Sequence, residues 1–267
     1  MGMDRREFIR LAGLSALLGL GGKGAFEIVR PGQAQAGFEP EAKALEGKRW
    51  AMVVNMQKMD EATAGKCIEA CHRVHNVPDY HNPKDAKDQL PPEVQNRYEI
   101  KWIWTEHFHN AFGEEQGMEK VHHLPFLLMC NHCNNPPCVR VCPTKATFQR
   151  EDGIVMMDMH RCIGCRFCMA GCPYSARSFN WRDPRPFVQD VYPGYPTREI
   201  GVVEKCTFCA ERLAQGLMPA CVEASGGSMI FGDLGDDKSK VSETLKRYFT
   251  IRRKTHLGTN PQVYYIV

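Results

Sequence analysis

The sequence predicts an α+β fold, built as tandem small units separated by long insertions and linkers. Three observations carry this expectation. Thirteen cysteines stand in 267 residues, and two runs share one form: Cys130, Cys133, Cys138, Cys142 and Pro143, then Cys162, Cys165, Cys168, Cys172 and Pro173. Apolar stretches such as residues 51–54 and 154–157 are short and end in turn residues, as the strands of a small unit do. Prolines crowd two further segments (Pro78, Pro83, Pro91 and Pro92, then Pro184, Pro186, Pro193 and Pro196) and break any periodic pattern there. With 43% hydrophobic residues, the chain can bury one or two modest cores.

The run at Cys162 reads C-x2-C-x2-C-x3-C-P, the bacterial arrangement for 4Fe–4S clusters, in which the fourth cysteine ligates a neighbouring cluster. Four thiolates must converge on one iron–sulfur cube, so three come from a tight loop and one from a distant segment. The run at Cys130 supplies the matching half. Zinc knuckles use separated pairs, and disulfide frameworks do not need three close cysteines with a trailing proline. The fold class therefore sharpens to tandem bacterial-ferredoxin-like units, with residues 127–182 as the central one.

Taken in order, residues 1–36 are expected to be a twin-arginine signal peptide. Arg5 and Arg6 precede an uncharged stretch at 11–22, and Ala34-Gln35-Ala36 offers a small-residue cleavage site. The apolar part is about half of a membrane span, so a removed signal fits better than an anchor. Export in the folded state would bring clusters already assembled to the periplasmic, extracytoplasmic face of the membrane, without disulfides forming there. Taking away 1–36 removes five of 34 Lys and Arg and three of 31 Asp and Glu, leaving a formal charge of +1. No basic patch suggests nucleic acid. Residues 37–126 hold the first cysteine segment plus an irregular insertion. Within them come a strand at 49–55, helical spacing from Cys67 to His75, an irregular excursion over 76–100 and an extended segment at 102–108. In the central unit, a hairpin turning at Glu151-Asp152-Gly153 joins the two cysteine loops. Residues 183–234 carry a third group, Cys206, Cys209 and Cys221, closed by a strand at 230–234 and expected to pair with 48–76. The remainder, 235–267, reads as a tail: an amphipathic helix from Val241, the basic Arg252-Arg253-Lys254 and an extended Val263-Tyr264-Tyr265-Ile266. Such a tail is solvated, or lies along a neighbouring subunit.

Cys206-Thr207-Phe208-Cys209, Pro219-Ala220-Cys221 and Phe231-Gly232-Asp233-Leu234 resemble the electron-transfer subunits that accompany polysulfide, nitrite and dimethyl sulfoxide reductases. That family usually carries four cysteine runs and four cubane clusters, with the runs exchanging their last cysteines in pairs. The resemblance implies one cluster on Cys130, Cys133, Cys138 and Cys172, and a second on Cys162, Cys165, Cys168 and Cys142. It implies a third on Cys206, Cys209 and Cys221, with Cys71 from the first run. The fourth site would have used positions 61, 64, 67 and 225, which hold Glu61, Ala64, Cys67 and Ser225. Ala64 cannot ligate, so three 4Fe–4S clusters take twelve cysteines and Cys67 is left over. The segment from Ala70 to Pro78 and the tryptophan-bearing insertion resemble one subgroup, the DsrO-type subunit of the DsrMKJOP complex associated with sulfite reduction. The partners this implies are an integral membrane menaquinone-handling subunit of the NrfD type and a multihaem cytochrome c. Membrane association would run through those partners. Iron–sulfur subunits of exported molybdopterin oxidoreductases and periplasmic redox or oxygen sensors are the competing classes.

Other readings attach to single residues. Cys67, Cys71 and His72 also form C-x3-C-H, an expanded haem c attachment motif that would take Cys71 from the third cluster. A buried relic thiol is the plainer account of Cys67. His72, His75, His107, His109, His122 and His123 invite a further metal, and His107 and His109 would share a face of an extended segment. Structural or surface roles fit them better. Trp102 and Trp104 read as packing, and Met156, Met157 and Met159 as soft lining for clusters. No nucleophile or acid–base pair is apparent, so the expected work is electron transfer.

Overall fold

The computed structural model describes residues 42–113, 121 and 124–267. The expected signal peptide and the pair His122 and His123 lie outside them. No helix among the described residues is long and apolar enough to cross a membrane.

The first strand, β1 (Trp50–Asn55), is buried almost throughout. Asp60 then starts α1 (Glu61–Val74), its carboxylate accepting the Thr63 N–H at 2.7 Å. The excursion over 76–100 is irregular, with one correction. Pro91 and Pro92 seed a seven-residue helix, α2 (Pro92–Tyr98), because a first-turn proline presets φ and leaves no donor unpaired. Its Gln95 is buried and donates to Leu90 O at 2.8 Å, which ties the insertion down. The extended segment is shorter than expected. β2 (Ile103–Glu106) ends before α3 (Phe108–Phe112), and pairs antiparallel with β3 (Phe126–Met129).

In the central unit come α4 (Pro137–Arg140), the hairpin β4 (Thr147–Gln149) and β5 (Val155–Met157), and α5 (Phe167–Ala170). A two-residue pairing of β6 (Ser178–Phe179) with β7 (Val203–Glu204) follows. After α6 (Ala210–Leu213) and α7 (Ala220–Ala224), β8 (Met229–Asp233) runs antiparallel to β1, matching Met52 to Phe231. α8 (Lys240–Arg247) is capped by the Ser239 hydroxyl and leads to β9 (Thr250–Ile251) and β10 (Val263–Ile266).

The tail expectation is overturned here. β10 lies parallel to β1, between it and β9, so the chain's last strand is central in the order β8-β1-β10-β9. Physically, Val263, Tyr265 and Ile266 are too apolar to stay in water. Tyr265 is fully buried, its ring set edge-on to Phe112 and its hydroxyl donating to Leu127 O at 3.1 Å. Arg253 is buried too, its guanidinium donating to Ala111 O (2.9 Å) and Tyr174 O (3.4 Å). β1 is apolar on both faces because both are covered. Met52 and Val54 join the main core, while Ala51 and Val53 pack with Val241 of α8 and Ile266.

Candidate functional site

The two loops of the central unit have one construction. Three cysteines ring a turn, and the short helices α4 and α5 carry the chain from the third to the fourth. One cavity is lined by Cys130, Cys133, Cys138 and Cys172, another by Cys142, Cys162, Cys165 and Cys168. In each, the fourth thiol comes from the other run. Gly164 has φ +69°, and a Cβ there would strike the Gly201 carbonyl and the Phe179 ring. Only glycine lets this loop close.

The third group is deeper. Burial holds the Cys71 thiol well above its ordinary value, and the nearby Cys206, Cys209 and Cys221 push it further. Cys71, Cys206 and Cys221 share one buried cluster, and Cys209 is brought against His75, which touches Cys71; α1 supplies Cys71 and the start of α7 supplies Cys221. His75 closes one side: its Nδ1 lies 2.8 Å from Cys71 O and 3.6 Å from Cys71 Sγ, and its Nε2 lies 2.9 Å from Glu211 Oε1. His75, Cys209 and Glu211 place their ligand atoms within 4.8 Å of one another.

All-sulfur donor sets of this kind fit iron–sulfur clusters. Burial pushes Cys133 and Cys206 up to about 12, in each case reinforced by Cys130. Such groups become thiolates together only when iron supplies the opposing charge. Backbone amides also point at sulfur, Thr147 N–H to Cys142 Sγ and Phe208 N–H to Cys206 Sγ, both at 3.4 Å. Cys142 is one of the half-buried thiols. Its partial burial raises the pKa, but bonds from Thr147 and Thr144 more than offset that and leave it lowered.

Sequence reasoning missed what lies between the sets. Arg177 is buried and donates to Thr147 Oγ1 at 3.2 Å, with its Nη2 unpartnered against the cavity of Cys130. Burial alone would lower its pKa, yet the charges of Cys138, Cys168 and Cys130 outweigh that and raise it. It lines the Cys130 cavity and bonds Thr147, whose N–H meets Cys142 Sγ, so it lies between the first two sets. Lys205, also buried, donates to Cys206 O at 2.7 Å and to Val155 O, beside the step from the first set to the third. Across that step His132, next in sequence to Cys133, stacks on Phe208 with centroids 3.7 Å apart. Among the described residues neither Arg177, Lys205 nor Arg253 meets a carboxylate at ion-pair distance. Adjacency in sequence to a cysteine was the only available sign of Lys205 and His132.

Of the positions expected for a fourth site, Ala64, Cys67 and Ser225 are buried, while Glu61 stands exposed at the start of α1. Ala64 and Cys67 face inward from α1 at helical spacing, with the Cys67 thiol donating to Cys221 O at 3.3 Å. Ser225, at the end of α7, is 2% exposed and bonds to Val222 O (2.7 Å) and the Met229 N–H (3.1 Å). The first run lies along the unbroken helix α1. Burial pushes Cys67 up to about 11, the behaviour of an inert core thiol. Cys67→Ala is expected to leave iron per chain unchanged and to cost about 1–2 kcal/mol of stability. Iron analysis and urea unfolding check both parts.

The haem reading finds no room, since Cys67 and Cys71 are 0% and 3% exposed and turned into the α1–α7 contact and the third set. His72 is held neutral by burial, its pKa down to about 4, with Nε2 unpartnered. His107 precedes α3 and His109 lies in it, so they share no strand face, although their rings stack at 6.2 Å. Trp102 is fully buried against His75, at 4.4 Å.

Comparison with known proteins agrees with this chemistry. Residues 121–185 match the family described as the 4Fe-4S dicluster domain. The Hdr-like menaquinol oxidoreductase iron–sulfur subunit 1 of Archaeoglobus fulgidus is 35% identical over 285 aligned residues, covering 98% of this chain and 97% of the relative. The menaquinone reductase iron–sulfur cluster-binding subunit of Nitratidesulfovibrio vulgaris is 34% identical, covering 82% and 88%. The polysulfide reductase B subunit of Wolinella succinogenes is 41% identical over 139 residues, 51% of this chain and 64% of that one.

Proposed function

This chain belongs to the family of iron–sulfur subunits that includes those of menaquinol oxidoreductases and polysulfide reductase, and we propose that it works as a three-cluster electron relay in a membrane respiratory complex. The observation that carries the reading is the gathering of twelve of the thirteen cysteines into three facing groups of four. When bound, each 4Fe–4S cluster takes up and gives back one electron. Every other contribution comes from the protein. The cysteines ligate in tandem units, Arg177 and Lys205 offset the negative charge gathered between sets, and the sheet and α1 keep water from the Cys71 set.

The sets run in the order Cys162, Cys130, Cys206. Cys138 packs in one buried cluster with Cys168, Cys142 and Cys162, and Cys130 in another with Cys206, Cys221 and Cys71. A relay has two ends. By likeness to menaquinol oxidoreductase and menaquinone reductase subunits, one end meets an NrfD-type membrane subunit that handles menaquinone. A multihaem cytochrome c at the other end completes a DsrMKJOP-like complex. Export by the twin-arginine route would place the subunit on the extracytoplasmic face, and the closed fourth site sets a shorter relay than four-cluster relatives have.

Iron, acid-labile sulfide and pyridine haemochrome on anaerobically purified protein test this. About twelve irons per chain without haem are expected. Eight irons, or covalent haem, would sink the three-cluster reading. Arg177 adds a sharper check. A buried unit charge one side chain away is worth about 2 kcal/mol at an effective dielectric near 20, or about 90 mV for a one-electron couple. Reduction adds negative charge, so Arg177→Met is expected to lower the potentials of the Cys130 and Cys162 centres by about that much, and Arg177→Lys to restore part of it. Anaerobic redox titration followed by EPR reads both.

A further inference from the structure

One surface stands apart from the rest of the fold. Ile163 is 66%, Ile200 60% and Phe167 59% exposed, and Trp181 and Val141 join them at 45% and 39%. They form one continuous patch. Gly171 packs against both Val141 and the Phe167 backbone, while Gly164, next to Ile163, packs against the carbonyl of Gly201, next to Ile200. Trp181 reaches the same place through Phe179, at 4.7 Å, and the Arg166 guanidinium covers the Trp181 ring at 4.5 Å. Beneath the patch is the Cys162 set, whose cavity Ile163 and Arg166 also line.

This set ends the relay, and it is the shallowest. Cys142, Cys162 and Cys165 are only half-buried, whereas Cys71, Cys206, Cys209 and Cys221 are all buried. The rim of the patch is basic. Arg140 adjoins Val141, Lys145 adjoins Thr144 of the Cys162 cavity and Arg166 covers Trp181; all three are exposed, and among the described residues none of them meets a carboxylate at ion-pair distance. Arg161 is already occupied by Asp158, at 3.2 Å, and Asp183, near Trp181, by Arg185, at 2.8 Å, while Glu199 beside Ile200 is exposed.

We propose that this face docks a redox protein presenting acidic side chains around an apolar centre, and exchanges single electrons with it through the Cys162 set. The proposal rests on the relay reading given above. An apolar centre with stacked Arg and Trp is the composition of interface anchors, and a one-signed rim steers encounter. In the exchange one electron crosses the interface. The donor is oxidised, the acceptor is reduced, and no bond or proton moves.

The test uses one redox centre in two charge states, native cytochrome c, which is basic, and fully succinylated cytochrome c, which is acidic. Stopped-flow reduction of each by dithionite-reduced holoprotein is followed at low salt and at about 0.5 M salt. The acidic form is expected to react at least about tenfold faster at low salt, with the preference gone at high salt. A triple variant, Arg140→Glu, Lys145→Glu and Ile200→Asp, is expected to lose that preference with its iron and EPR signals unchanged. Equal rates for the two cytochromes, or a variant that keeps the preference, overturn the docking face. So does an unchanged cytochrome preference in a variant that no longer binds phosphatidylglycerol vesicles, which would assign the patch to lipid. Iron is counted on the wild type first. A shortfall there strikes at the three-cluster reading, while full iron with no charge preference strikes at docking alone.

Discussion

Cys165→Ala is expected to remove about four irons per chain while the other two centres stay in place. Cys142, Cys162 and Cys168 would remain around a site that is already half open to solvent, and three thiolates with an exposed corner hold a cube poorly. The Cys162 set sits at one end of the order, so its loss does not undermine the sheet or the α1–α7 contact. Iron analysis and EPR should show one signal missing and two retained. The matching change in the core, Cys206→Ala, should behave differently. Cys206 is buried, its set lies under α1 and α7, and an unfilled site there leaves the Cys71, Cys209 and Cys221 thiols crowded in a dry interior. Loss of that centre should be accompanied by a fall in thermal midpoint and, in the cell, by poor export of a misfolded chain. If Cys165→Ala lost eight or more irons, the assignment of Cys142 and Cys172 across the two runs would have to be redrawn.

The cysteine chemistry was legible because ligation fixes spacing. Three thiolates around one cube force a tight loop, and the trailing proline and short helix follow from turning the chain away. β1, the hairpin of the central unit, β8 and β10 were likewise visible as short apolar runs between turn residues. What the sequence hid was placement. Nothing in Val263-Tyr264-Tyr265-Ile266 says that its partner is β1, more than 200 residues earlier, because strand pairing across that separation leaves no local pattern. The same holds for charge. Arg177, Lys205, Arg198 and Glu204 look like ordinary surface residues in a chain with 24% charged side chains, and only the fold turns them inward. Short helices such as α2 were obscured by prolines that usually signal irregular chain.

The buried pair Arg198–Glu204 is where one substitution should cost the fold most. The two side chains meet at 2.7 Å and neither is exposed. Glu204 is further held by the Trp102 indole N–H, at 2.8 Å, and by the Asn180 amide, while Arg198 donates to His75 O and, at 2.8 Å, to Asn76 O. Those two carbonyls lie just past the end of α1, the helix that carries Cys71. Arg198→Met would therefore leave a carboxylate in a dry core with its cation gone, and release the end of the helix that positions a ligand. Removing one member of a buried pair costs about 3–5 kcal/mol, mostly because the other charge is stranded. Replacing both, Arg198→Met with Glu204→Leu, strands nothing and should recover a large part of that loss. The carbonyls of His75 and Asn76 would still lack their donor, so the double variant should regain stability without fully regaining the third centre. Urea unfolding of the holoprotein, with iron counted on each variant, separates the two effects. Equal stability of the single and double variants would mean that the stranded charge is not what the fold pays for.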